Sequence, residues 1–313
     1  MVSDTSLYDS MKTALFHGQN LAREIVELTY DHPGRHDAEY QSRRDQIAAV
    51  ALRYDRREPV PAIDYTDAEH EVWRAVVSSL RPLHRRYACI EYQEASARLA
   101  LDPSRLPQLE DVNRSLQGQS GFRMIPVMGF VSSRAFLRHL GEGMFLSTQY
   151  VRYPTTPLFS PEPDVIHELT GHACTLMDLR YAALNRRFGA AAELVNEEDL
   201  VRLERVFWHT METGLVKESD GTRILGAALL SSVGEIEHCY SRARQLPFDL
   251  ERMAASPVEP TEYQDELYVA ESFTALVRDV SAWLSALTAP QRARSIEGSC
   301  RLDLAVGVLV PLL

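Results

Sequence analysis

Apolar residues recur along most of this chain at helical rather than strand spacing. Leu21, Ile25 and Leu28 open a helical stripe that Asp31-His32-Pro33-Gly34 breaks, and a second amphipathic stretch follows over residues 38–54, so residues 1–55 read as helical. Beyond Pro59-Val60-Pro61, the positions of Val72, Val76, Val77 and Leu80 predict a helix over Asp67–Tyr87 whose charged faces lie in solvent. Pro103, Pro107 and the Gln108-Leu109-Glu110-Asp111-Val112 segment mark another entry from loop to helix. Residues 118–131 are the best strand candidate, because Phe122, Met124, Val127 and Phe130 sit among Gly and Pro. Ser132-Ser133-Arg134 caps a short helix carrying Phe136 and Leu140, and residues 144–153 alternate as a second short strand. Helices are expected again over 178–188, 198–216, 225–232, 235–243 and 266–284. Residues 295–304, centred on Glu297-Gly298, read as a small hairpin, and 306–313 form an apolar run that has to be buried against the core or a second subunit.

This pattern describes a mainly α chain with a few short strands. At 313 residues and 45% apolar composition it is large enough for a sizeable core, read here as one domain over 1–290 followed by a tail over 291–313. A net charge of -11 argues against nucleic-acid and anionic-membrane partners, which reward basic surfaces. No apolar run is long enough to span a bilayer, and the first twenty residues lack the apolar core of a secretory signal. Cys89, Cys174, Cys239 and Cys300 are too widely spaced for a CxxC pair or a disulfide framework, which fits a reducing cytoplasm.

The densest chemistry lies in Pro161-Glu162-Pro163-Asp164-Val165-Ile166-His167-Glu168-Leu169-Thr170-Gly171-His172. Two imidazoles are a natural half of a site for a first-row metal. In the zinc-protease pattern His-Glu-x-x-His the histidines are four apart. Here they are five apart, about 140° round an ideal helix, so they share a metal only if the helix ends or bends near Gly171. Asp164, one turn before His167, is placed to accept that imidazole's other N–H. A third ligand is needed, and the carboxylates to choose from are Glu168, Asp178, Glu212, Glu235 and Glu271. Glu212 stands out because it lies within an apolar helical run, beside Trp208, where an unpartnered carboxylate is costly. A zinc hydrolase with Glu168 as general base is a competing reading, and a binding protein without catalysis is a third.

The same run resembles the iron-binding signature of the pterin-dependent aromatic amino acid hydroxylases. The likeness extends in order from about residue 10 to 290, through Gly121-Phe122-Arg123-Met124-Ile125-Pro126-Val127, Leu146-Ser147-Thr148-Gln149-Tyr150-Val151-Arg152, Phe207-Trp208-His209-Thr210-Met211-Glu212-Thr213-Gly214-Leu215 and Gly226-Ala227-Ala228-Leu229-Leu230-Ser231-Ser232-Val233-Gly234-Glu235. It implies a single mainly α catalytic domain around a central Fe(II) site and a ring-hydroxylating monooxygenase using O2 and tetrahydrobiopterin or a related tetrahydropterin. The substrate implied is a free aromatic amino acid, phenylalanine before tryptophan, giving para- or meta-tyrosine.

By this resemblance His167, His172 and Glu212 are the iron ligands. Phe136, Val131, Glu168 and Phe207 lie at pterin positions, with Phe136 under the ring. Arg152 takes the substrate carboxylate, Ser160 and Ser231 help hold the substrate backbone, and Pro163 and Trp208 wall the side-chain pocket. Read without the resemblance, Arg152 is a surface charge and Phe136 a core residue. The chain departs from the family at Cys174, where a Pro is usual, at Thr213 and His209, where Phe is usual, at Ala228 for Gly, and at Phe207, where many members carry Tyr. Cys174 and Thr213 flank ligands and are therefore candidates for setting the ring position attacked. The resemblance shows neither the N-terminal regulatory domain nor the long C-terminal tetramerisation helix of the animal enzymes, so a monomer, or a dimer through the apolar tail, is expected.

Overall fold

Thr66 starts the longest fully described helix with a reciprocal cap: its hydroxyl accepts the Glu69 backbone N–H while Glu69 returns a carboxylate to the Thr66 N–H. The chain is described here by a computed structural model covering residue 28 and residues 32–306 apart from 130, 159, 161 and 261, with backbone alone from residue 290. The helix so capped, α2 (Asp67–Tyr87), follows α1 (Ala38–Leu52) and buries Val72, Trp73, Val76, Val77 and Leu80 along one stripe. Then come α3 (Ile90–Leu99), α4 (Leu109–Gln119), β1 (Arg123–Pro126), α5 (Ser133–Gly141) and β2 (Met144–Ser147), with β1 and β2 paired in parallel.

The second half holds the ligand-bearing segments. A single turn, α6 (Val165–His167), runs straight into a π-helical turn over Glu168–Ala173. After α7 (Leu179–Ala192), α8 (Glu197–Phe207) runs into a second π-helical turn over Trp208–Glu212. A four-stranded sheet, ordered β4-β3-β6-β5, contains the hairpin of β3 (Leu215–Glu218) and β4 (Gly221–Ile224) and the parallel strands β5 (Arg244–Pro247) and β6 (Glu266–Ala270). Helices α9 (Ala227–Leu230), α10 (Val233–Ser241), α11 (Leu250–Ala255) and α12 (Phe273–Val306) complete the fold. One contiguous core runs from Ile47 to Leu284, which makes this one mainly α domain. Where α5 crosses α7, a Cβ on Gly189 would lie 2.0 Å from the Gly141 nitrogen, so only glycine permits that approach.

Several expected boundaries shift. The strand expected over 118–131 is only Arg123–Pro126, because Gly118 and Gln119 finish α4 and Gly121 turns the chain at φ +71. The strand expected over 144–153 stops at Ser147, since Thr148 turns its N–H toward Glu168. The helix expected over 198–216 ends at Glu212, and Leu215 and Val216 instead pair with β4 and β6. The segment 266–284 is a strand followed by a helix, with the Ser272 hydroxyl accepting the Ala275 N–H to start the helix. The hairpin expected over 295–304 is helical backbone instead, because one Gly among helix formers does not supply the two-residue turn a hairpin needs. Leu21, Ile25 and residues 307–313 lie outside the described residues, while Leu28 is buried. No described helix is long and apolar enough to cross a membrane.

Candidate metal centre

The five-residue spacing that troubles an ordinary helix is resolved by the π-helical turn. Its i→i+5 hydrogen bonding places residues five apart one turn apart, on the same side. His167 and His172 thus face each other with Nε2 atoms 3.0 Å apart and rings crossed at 81°. The helix neither ends nor bends at Gly171; it widens there. Gly171 lets α9 press against the wide turn, since a Cβ would lie 2.7 Å from the Ala227 carbonyl oxygen. The second wide turn delivers Glu212, with Oε1 3.2 Å from His172 Nε2 and Oε2 4.0 Å from His167 Nε2. Among the described residues this is the one group of three or more His, Cys, Asp or Glu side chains placed to hold a metal, with all donor atoms within 4.8 Å.

The arrangement fits a divalent cation on its own terms. Two imidazole nitrogens each about 2.1 Å from one ion and at right angles lie about 3.0 Å apart. Glu212 Oε2 is buried with no hydrogen-bond partner, an arrangement costly for a carboxylate unless a cation satisfies it. Burial and the neighbouring His172 push His167 down to about 4, so it is neutral and has a lone pair to give. Burial raises the Glu212 carboxyl, but the His172 charge and hydrogen bond outweigh it and hold the group below its usual range; the same carboxylate holds His172 above its own. Of the other carboxylates considered for the third ligand, Asp178 caps α7 and pairs with Arg180, Glu271 pairs with Lys217 at the surface, and Glu168 turns to Thr148. Glu235 lies outside the cluster.

Asp164 does not meet the His167 ring. It caps α6 through the His167 backbone N–H at 3.0 Å, and its carboxylate grips Arg152 with Nε at 3.0 Å and Nη2 at 2.7 Å. The partner of His167 Nδ1 is Ser231 Oγ at 2.8 Å. Ser231 in turn donates to the Ala228 carbonyl, so Nδ1 carries the hydrogen and Nε2 keeps the lone pair that a metal would take. Arg152 is no surface charge: its side chain is 2% exposed, and Nη1 approaches the carbonyls of Pro157 and Ser231 at 3.4 and 3.5 Å. Ser160 donates to the Glu162 carbonyl, and Glu162 is itself held by Arg44 and His32.

Phe136 is half-buried and packs edge-on against Phe145 and Phe207, at 5.3 and 5.8 Å. Val131 lies just before that helix, half-buried. Burial pushes Glu168 up to about 8, against the pull of His172, and its Oε1 lies 3.3 Å from both Thr148 N and Oγ1. Trp208 donates Nε1 to Gln264, and Pro163 lends its carbonyl to the Thr148 hydroxyl. Cys174 faces Tyr92 and Ser96 of α3, whereas Thr213 spends its hydroxyl on the Trp208 carbonyl. His209 packs on Tyr268 of β6. Of the two positions considered for ring selectivity, Cys174 therefore bears on how the wide turn sits against α3. The Arg44–Glu162 pair and the hydroxyl of Tyr92 on the Thr170 carbonyl were not foreseen, because their partners lie 118 and 78 positions away.

Residues 16–300 match the family model described as biopterin-dependent aromatic amino acid hydroxylase. Phenylalanine-4-hydroxylase of Rattus norvegicus is 38% identical over 274 residues, 86% of this chain and 60% of the relative. Tyrosine 3-monooxygenase of Homo sapiens is 37% identical over 269 residues, 84% of this chain and 51% of the relative. The chain thus spans about three fifths of the length of the phenylalanine-4-hydroxylase it matches. Among solved structures, phenylalanine hydroxylase from Legionella pneumophila is similar with TM-score 0.67 and 28% identity, covering 74% of this chain and 92% of that one. Phenylalanine hydroxylase from Chromobacterium violaceum, with bound iron(III) and 7,8-dihydrobiopterin, gives TM-score 0.65 and 28% identity over 72% of this chain and 84% of that one.

Proposed function

Since the chain belongs to the biopterin-dependent aromatic amino acid hydroxylases, we propose that it is a tetrahydropterin-dependent monooxygenase that hydroxylates the ring of free L-phenylalanine, with Fe(II) held by His167, His172 and Glu212. The observation that carries this reading is the convergence of two imidazole Nε2 atoms and one orphaned buried carboxylate oxygen on one point. Such a facial set leaves the opposite coordination positions free. Family membership retires the hydrolase reading of the same histidines.

When bound, iron would provide the place where O2 is activated and tetrahydropterin two of the electrons, one oxygen atom entering the ring and the other leaving as water. The protein's part is orientation and exclusion of water. Ser231 fixes the tautomer of His167. Asp164 takes the Nε/Nη2 edge of the Arg152 guanidinium with both carboxylate oxygens and leaves Nη1 to meet the substrate carboxylate beside Ser231. Phe136, backed by Phe145 and Phe207, offers a flat apolar face to the pterin, and Glu168 and Val131 border the same place. Trp208 and Pro163 wall the aromatic pocket, and Ser160, bonded to the Glu162 carbonyl, holds the loop that enters it.

The test is incubation of the iron-loaded protein with tetrahydrobiopterin, O2 and each of phenylalanine, tyrosine and tryptophan, with separation of the hydroxylated products. A pterin-dependent tyrosine isomer from phenylalanine is expected, and its retention time assigns the para or meta position. Uptake of Fe(II) without any hydroxylated amino acid would overturn the reading.

A further inference from the structure

His84 lies in the last turn of α2, far from the metal cluster in sequence and on a different element. Its ring nevertheless touches the supports of both histidine ligands. Nε2 is 2.6 Å from the carbonyl oxygen of Leu230, the residue that ends α9. The next residue is Ser231, whose hydroxyl holds His167 Nδ1 at 2.8 Å. On its other side, Nδ1 of His84 is 3.2 Å from the Tyr92 hydroxyl, with the two rings crossed at 78°. That hydroxyl donates at 2.7 Å to the carbonyl of Thr170, which lies between the two histidines in the wide turn.

Both carbonyls only accept, so Nε2 of His84 carries the hydrogen that Leu230 receives and the single Tyr92 hydroxyl hydrogen goes to Thr170, which leaves Nδ1 of the neutral ring in edge contact with the Tyr92 oxygen rather than hydrogen-bonded to it. Burial, the larger influence on the ring, pushes it down to about 4 and keeps it in this neutral form. A π-helical turn is a rare winding that persists where its surroundings hold it. Here α9 presses on it at Gly171, while His84 and Tyr92 tie the same two segments together from α2 and α3.

We propose that His84 is a positioning residue for the metal centre: through Leu230 and through Tyr92 it sets the spacing of Ser231 and Thr170, and with it the angle at which His167 and His172 meet an ion. This rests on the reading of the cluster as a metal site. His84→Leu removes both ring nitrogens at similar size, His84→Gln restores the donor that Leu230 accepts, and Tyr92→Phe breaks the Thr170 arm alone. The readouts are Co(II) titration of the metal-free protein, its visible ligand-field spectrum, and circular dichroism for folding.

His84→Leu should fold and bind Co(II) about tenfold more weakly with a shifted spectrum, the loss usual for supports of metal ligands. His84→Gln should recover most of the affinity and the parent spectrum. Tyr92→Phe should shift the spectrum too, and it carries the test even if His84→Leu fails to fold. Parent-like affinity and spectrum in either His84→Leu or Tyr92→Phe would overturn the proposal alone. A parent protein that takes up no Co(II) would overturn the metal reading and this proposal with it.

Discussion

The Nε2 atoms of His167 and His172 stand 3.0 Å apart although the residues are five positions apart, because the helix between them winds once at i→i+5. Wound as an ordinary α-helix, the two rings would diverge by about 140°. The ion-sized gap between these nitrogens and Glu212 is therefore a property of the winding, and the variants below test it from different sides.

Glu212→Gln keeps the volume of the side chain and removes its charge. Metal uptake should fall by more than about 100-fold, beyond the loss typical of a residue that only supports a ligand. Iron content after dialysis measures it, with helix content by circular dichroism unchanged. A stoichiometric iron content in this variant would exclude Glu212 as the third ligand.

Gly171→Ala puts a methyl 2.7 Å from the Ala227 carbonyl oxygen, a backbone atom that cannot swing aside. Overpacking of this kind costs about 2 kcal/mol, read as a lower urea midpoint at unchanged slope. The cobalt spectrum should change with it, since the contact joins the wide turn to the helix that carries Ser231.

Arg152→Ala should do more than raise the KM for the amino acid. It strips the partner from an Asp164 carboxylate with no side-chain exposure, and breaking a buried pair from one side costs about 3–5 kcal/mol. The variant should unfold at clearly lower urea and, where folded, require far more substrate. Parent stability together with a parent KM would show that neither the carboxylate of Asp164 nor that of the substrate depends on this guanidinium.

His84 also makes stability depend on pH. Its ordinary value is 6.5, the value it has in the unfolded chain, and burial takes it to about 4 in the folded protein. The contribution is therefore complete above pH 6.5 and is lost as pH falls from 6.5 toward 4, because the unfolded state binds the proton first. The loss amounts to about 3 kcal/mol. In urea titrations of the metal-free protein, the parent should lose stability more steeply over that window than His84→Gln; parallel curves would contradict the assignment. His209, also pushed down to about 4, leaves a slope common to both.

The parts of the fold legible in the sequence are those with long, uninterrupted periodicity. The helix Asp67–Tyr87 follows from its valine and leucine stripe and its bounds. Segments where the backbone changes state without a change of composition are not legible: Leu267, Tyr268 and Val269 read as helix, yet they pair in register with β5. In the site, His167, His172 and Glu212 are readable from residue type, spacing and family resemblance. Which group orients them is not. Asp164 is the near neighbour in sequence, but the Arg152 guanidinium claims its carboxylate, and Ser231, 64 positions on, takes the imidazole. Contacts at such separation leave no periodic trace.

The wide turn also has a bookkeeping role along the chain. Deleting Thr170 would leave the histidines four apart, the interval at which an ordinary helix already stacks them, so the pair alone would survive the loss of one codon. Everything after the deletion would instead arrive rotated by about 100°. Cys174 would leave its seat against Tyr92 and Ser96, and the path into α7 would no longer meet α5. The extra residue thus lets one stretch of chain satisfy two separate demands, a metal on one side and a packed partner on the other.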